Sequence, residues 1–101
     1  MKVLITSATS AKAHKLKGFL QQQHDILLGD FIELPAFMGK TVIKLPNPAA
    51  DAYAHQMLTL SLDNNIEQIY ALTASEMNAL VTAEQLFNEY NIKITDGNSY
   101  L

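Results

Sequence analysis

Short apolar runs alternate with longer stretches of helical period along the whole chain, and this alternation limits the fold more than any other feature. The first run, Lys2-Val3-Leu4-Ile5-Thr6, is short and rich in branched side chains, as a strand buried on both faces must be. A small polar turn, Ser7 to Ser10, follows it. A hydroxyl of Ser7, Thr9 or Ser10 can accept a free N–H of the next helix and cap it. Ala11 to Gln23 then has helical spacing, with Ala13, Leu16, Phe19 and Leu20 on one face and lysines opposite.

The pattern repeats. Ile26-Leu27-Leu28 reads as a second strand, ended by Gly29-Asp30. Phe31 to Gly39 is irregular and punctuated by Pro35. Thr41 to Leu45 is a third strand, stopped by Pro46-Asn47-Pro48. Asn47 suits a helix cap and Pro48 the first helical position, where its missing N–H is not needed. That helix is expected to reach about Leu62, with Ala50, Tyr53, Ala54, Met57 and Leu58 inward. A fourth strand centres on Ile69 to Leu72. One further helix starts at Thr73-Ala74-Ser75-Glu76 and carries Met77, Leu80, Val81, Phe87 and Tyr90 on its apolar stripe. Ile92 to Thr95 is the last strand, before the turn Asp96-Gly97-Asn98.

Strands alternating with helices imply a parallel sheet with right-handed crossovers. The expectation is a small three-layer α/β fold, Rossmann-like, with about five mostly parallel strands and helices on both faces. The chain of 101 residues fits one domain over residues 1–101. Hydrophobic residues make up 49%, which is globular rather than disordered.

Composition excludes several function classes. There is no cysteine, hence no disulfide and no thiolate metal site. His14, His24 and His55 are dispersed and form no pair at zinc-ligand spacing. All seven basic residues are lysines, and the net charge is −3. Without arginine and with that charge, nucleic acid is not an expected partner. No apolar run is long enough to span a membrane, and Val3-Leu4-Ile5 is too short for a signal-peptide core, so a cytoplasmic location is expected.

In open parallel sheets, ligands sit beyond the carboxyl ends of the strands. That rule selects Ser7, Thr9 and Ser10 with the nearby Lys12, then Asp30, then Thr73 and Glu76. The first turn precedes a helix whose N–H groups favour an anion. It lacks the glycines that let a backbone touch pyrophosphate, so a hydroxyl-capped turn explains it more simply. Asp30 stands about where an acid would hold a ribose hydroxyl, or is a solvated turn residue. Thr73 and Glu76 have capping-box spacing, which by itself accounts for Glu76. No carboxylate pair, nucleophile elbow or glycine-rich lysine loop is present, so no catalytic residue is assigned.

Laid end to end, these segments resemble the pre-ATP-grasp domain, which precedes the ATP-grasp fold in carbamoyl-phosphate-synthase-like and related carboxylate–amine ligases. The resemblance runs through Met1 to Ala8, Gly29-Asp30, Leu45 to Pro48, Tyr53, Ile69 to Thr73, Glu76, and Phe87 to Ile94. It covers nearly the whole chain and rests on order and spacing. It departs in the first turn, where such domains usually carry glycine. In that family the ATP-binding and catalytic parts lie in the following domains. The resemblance therefore implies a non-catalytic binding or interaction module, without the ATP-grasp domain and without a cofactor, that associates with an ATP-grasp ligase or with itself. Thr6-Ser7-Ala8-Thr9-Ser10 also resembles the Thr-Gly-Ala-Thr-Gly opening of NAD(P)-binding reductase-like proteins, with serine at both glycines. That likeness stops after the second strand and implies a small nucleotide-binding protein with a degenerate phosphate-binding turn.

Overall fold

A computed structural model describes residues 2–8, 10–22, 24–31 and 42–100. These residues form one sheet of five strands: β1 (Lys2–Ile5), β2 (Asp25–Asp30), β3 (Val42–Lys44), β4 (Gln68–Ala71) and β5 (Lys93–Asp96). The strand order is β3-β2-β1-β4-β5, and all four pairings are parallel. The fold is thus α/β and Rossmann-like, as the alternation requires.

Period-two side-chain alternation divides the core between the two faces of the sheet. Val3 and Ile5 of β1 pack with Leu28, Val42, Tyr70 and Leu72 under helix α1 (Ala11–Leu20), which contributes Ala13, Leu16 and Leu20. Leu4, Ile69, Ala71 and Ile94 face the other way. They pack on α2 (Tyr53–Asp63), α3 (Ala74–Val81) and α4 (Glu84–Glu89) through Tyr53, Met57, Leu58, Leu80 and Phe87. Three layers result, with helices on both faces. Gly29 of β2 lies against the Leu45 side chain, and a Cβ there would come within 2.7 Å of it.

Several expected boundaries move. Gly29 and Asp30 belong to β2 rather than to a turn after it, and Asp30 is buried, not solvated. The helix expected from Pro48 begins only at Tyr53, and Ala50 is exposed. Asn47 closes a local turn instead: its Oδ1 accepts from the N–H of Ala49, and its carbonyl accepts from the N–H of Ala50. The helix expected from Thr73 to Tyr90 is two helices. At the break, the Thr82 hydroxyl donates to the Ala79 carbonyl and the Ala83 N–H donates to the Leu80 carbonyl, which tightens the last turn of α3 and ends it. Val81 and Tyr90 are exposed, not core. So is Phe19, at 60% exposure, because α1 turns Ala13, Leu16 and Leu20 to the sheet and Phe19 lies about 100° round the helix from Leu20. The last turn, Gly97–Tyr100, is a 3-10 helix. The irregular segment expected over 31–39 lies outside the described residues, apart from Phe31, and so does Thr41.

Candidate functional site

In the order β3-β2-β1-β4-β5, the connections reverse direction between β1 and β4. The carboxyl ends of these two strands therefore flank the switch-point crevice, where α/β sheets of this kind take ligands. The turn after β1 brings Ser7 to this point, and the turn after β4 brings Thr73 and Glu76.

Ser7 has φ of 52°, in the left-handed region that glycine adopts without strain. Two local bonds hold it there. The N–H of Ser10 donates to the Ser7 carbonyl at 2.9 Å, and the Ser10 hydroxyl donates to the same oxygen at 2.7 Å. The Ser10 hydroxyl also accepts from the N–H of Ala13 at 3.2 Å and so caps α1. With its backbone fixed, Ser7 directs its own hydroxyl across the crevice, where it donates to Oε1 of Glu76 at 3.0 Å.

Thr73 is the cap of α3. Its hydroxyl accepts from the N–H of Glu76 at 3.2 Å and donates to Glu76 Oε1 at 2.8 Å. In a capping box the glutamate reaches back to the cap's backbone N–H; this glutamate takes two hydroxyls instead. Capping therefore does not account for Glu76 completely. Its side chain is fully buried, and Oε2 has no hydrogen-bond partner among the described residues. The Tyr53 hydroxyl, on a side chain only 2% exposed, is likewise without one. Burial first, and then the nearby Glu76 carboxylate, push the Tyr53 hydroxyl above its usual range. Beside this cluster runs a groove of about 370 Å³, lined by Phe31, Asn47, Pro48, Ala49, Thr73 and Ser75.

The structure thus gathers Ser7, Ser10, Thr73 and Glu76 into one network. Lys12 points elsewhere, with its Nζ donating to Asn98 Oδ1 at 3.3 Å. Asp30 serves its own strand end: Oδ1 accepts from the N–H of Phe31 at 2.8 Å. Thr9 lies outside the described residues. No group of three or more histidine or acidic side chains able to hold a metal occurs among the described residues. Tyr53 escaped the sequence reading as a site residue because its helical spacing marks it as core, which it is. The available signal was its hydroxyl, which needs a partner wherever the ring is buried.

No protein-family model matches the chain, and no curated protein does. Solved structures do match it. Glycinamide-RNase-transformylase T from Mycobacterium tuberculosis superposes with a TM-score of 0.63 at 11% identity, over 93% of this chain and 28% of that one. The dTDP-glucose 4,6-dehydratase of Bacillus anthracis str. Ames, in complex with NAD, gives 0.60 at 12% identity, over 93% and 36%. The 3-alpha-hydroxysteroid dehydrogenase of Pseudomonas sp. B-0831, complexed with NADH, gives 0.52 at 13% identity, over 90% and 38%. At these identities the likeness is one of fold, and the chain spans well under half the length of each. Among the described residues, no helix is long and apolar enough to cross a membrane.

Proposed function

We propose that this chain is a single-domain Rossmann-like binding and association module of the pre-ATP-grasp kind, which performs no covalent chemistry itself and serves an ATP-grasp ligase. The Ser7–Glu76 hydrogen bond across the switch point carries this reading. A dinucleotide site needs this crevice open, so that pyrophosphate can meet backbone N–H groups at a glycine turn. Here a buried carboxyl stands at the crevice and claims the first turn's hydroxyl. A carboxylate there repels phosphate. Lys12, the cation closest in sequence to the first turn, is engaged by Asn98. The order of motifs shared with pre-ATP-grasp domains supports the family assignment, and the parallel five-stranded sheet agrees with it.

A second reading, a small nucleotide-binding protein, draws support from the fold shared with an NAD complex and an NADH complex. Thermal unfolding of the full chain with 1 mM NAD, NADH or ATP separates the two. Under the first reading the midpoint stays unchanged with all three. A nucleotide present at a hundred times its dissociation constant adds about 2.7 kcal/mol and raises the midpoint by several degrees. A saturable rise of that size would establish the second reading in place of the first.

A further inference from the structure

We infer that this chain associates with further copies of itself head to tail, the lysine-bearing face of α1 in one copy seating on the acidic face formed by α2 and α4 of the next. The inference deepens the association part of the proposed reading and names the surfaces that perform it.

The first support is a division of charge across the sheet. Residues 1–24 contain no acid, and residues 45–92 contain no lysine or arginine. Folding sets these two blocks on opposite faces. Helix α1 packs on the face of Val3 and Ile5, while α2, α3 and α4 pack on the face of Leu4 and Ile69. The outer side of α1 therefore carries the exposed Lys12 and Lys15, with Lys17 half-buried beside them. Asn98, which accepts from Lys12, is neutral and leaves its charge in place. The first acid, Asp25, belongs to β2 and not to this helix. The other face carries Asp51, Asp63, Glu84 and Glu89, all exposed. Two like faces repel and two unlike faces attract, so charge selects a head-to-tail contact over a symmetric one.

The second support is the placing of the exposed apolar side chains. Phe19, Leu62 and Tyr90 are all exposed, and they shortly precede β2, β4 and β5 respectively. All strand pairings are parallel, so the three side chains gather at the amino end of the sheet. Phe19 is on the α1 face, and Leu62 and Tyr90 are on the opposite one. There Leu62, Ile66 and Tyr90 line a groove of about 480 Å³. Lys93 is the one cation in that lining, against Glu67 in the lining and Asp63 and Glu89 flanking it. Stacking two copies face to face, with their amino ends on the same side, meets both demands together. Lysines oppose carboxylates, and Phe19 meets the groove that Leu62 and Tyr90 border, which takes all three side chains out of water. A body 31 × 29 × 24 Å across presents a face of about 800 Å², the area that each partner gives to a standard interface.

Sedimentation velocity of the full chain at pH 7 tests this. In 0.1 M NaCl the weight-average coefficient should rise between about 20 µM and about 1 mM and pass the value for a dimer, because a head-to-tail contact leaves a free face at each end. In 1 M NaCl the screening length falls from about 10 Å to about 3 Å, and the apparent dissociation constant should rise by about tenfold or more. Phe19→Ser breaks the basic face, and Leu62→Lys puts a cation on the acidic one. Both positions are exposed, and circular dichroism checks that each variant folds; Lys15→Glu and Glu89→Lys are the second pair if either does not. Each variant alone should be monomeric. Their equimolar mixture should form a dimer and stop there, since each supplies the face that the other has lost. The inference falls if the wild type stays monomeric or stops at a dimer, if salt leaves its association unchanged, if a single variant still associates, or if the mixture is no heavier than its parts. A monomeric wild type that binds phosphatidylserine vesicles, and loses them with Phe19→Ser, would give the α1 face to a lipid surface instead. Such failures leave the crevice's refusal of phosphate standing, which falls only to the nucleotide-dependent midpoint.

Discussion

Replacing Thr73 by alanine removes two interactions through one oxygen, and its effect can be worked out in advance. The first loss is the cap: the Thr73 hydroxyl no longer accepts from the Glu76 N–H, which costs about 1 kcal/mol. The second is the 2.8 Å bond to Glu76 Oε1; a hydrogen bond to a charged group is worth about 1.5–3 kcal/mol. Ser7 still donates to that oxygen at 3.0 Å, so the carboxyl is not stripped and the lower part of the range applies. The total is about 2–3 kcal/mol, and the first 2 kcal/mol alone correspond to roughly 8–16 °C in Tm for a domain of this size. Thr73→Ser keeps the oxygen and should lose much less. Because both hydroxyls serve one oxygen, Ser7→Ala combined with Thr73→Ala should cost more than the sum of the two, by about 0.5–3 kcal/mol. Urea unfolding followed by far-UV circular dichroism measures the wild type and the four variants. A Thr73→Ala loss under about 0.5 kcal/mol, within the range of ordinary surface changes, or an additive double variant, would refute the shared-oxygen account of Glu76.

Three other outcomes follow from the same geometry. Ser7→Gly loses the hydroxyl but relieves the left-handed backbone at φ 52°, so in urea unfolding it should be about 1 kcal/mol more stable than Ser7→Ala. Gly29→Ala drives a Cβ to 2.7 Å from the buried Leu45 side chain and should cost about 1–3 kcal/mol, and Leu45→Val, which frees space, should recover part of that in the double variant. Tyr53 is held protonated in the folded chain, because its folded pKa is raised above the unfolded value of about 10. The unfolded chain releases that proton first, so this contribution is intact below about pH 10 and is lost as pH rises further. Urea midpoints from pH 8 to 11 should therefore fall less steeply for Tyr53→Phe than for the wild type.

The order of elements was legible because strand and helix periods differ so clearly. Val3 and Ile5 against Leu4, or Ala13, Leu16 and Leu20, state their buried faces directly. Where the reading failed, hydrogen bonding decided rather than period. Thr82 and Ala83 have no breaker chemistry in sequence, yet the Thr82 hydroxyl and the Ala83 N–H both turn back to α3 carbonyls and end that helix. Asn47 has the composition of a helix cap but closes a tight turn of its own. Phe19, Val81 and Tyr90 are apolar and near the expected stripe, and sequence does not say how far a helix rotates as it settles on a sheet. At the site, strand ends pointed to Ser7, Ser10, Thr73 and Glu76, because the parallel topology brings those ends together. The bond between Ser7 and Glu76 was not legible: the two are 69 positions apart, and only the β1–β4 pairing makes them neighbours.

That separation has a kinetic consequence. Contacts between distant parts of a chain form after the loops between them have closed. Ser7 and Glu76 meet only once β1 and β4 lie side by side, so their bond is expected among the late events of assembly. An interaction absent from the transition state leaves the rate of folding almost untouched and slows the reverse step. The crevice is in this sense a clasp, which governs how long the folded chain lasts more than how quickly it forms.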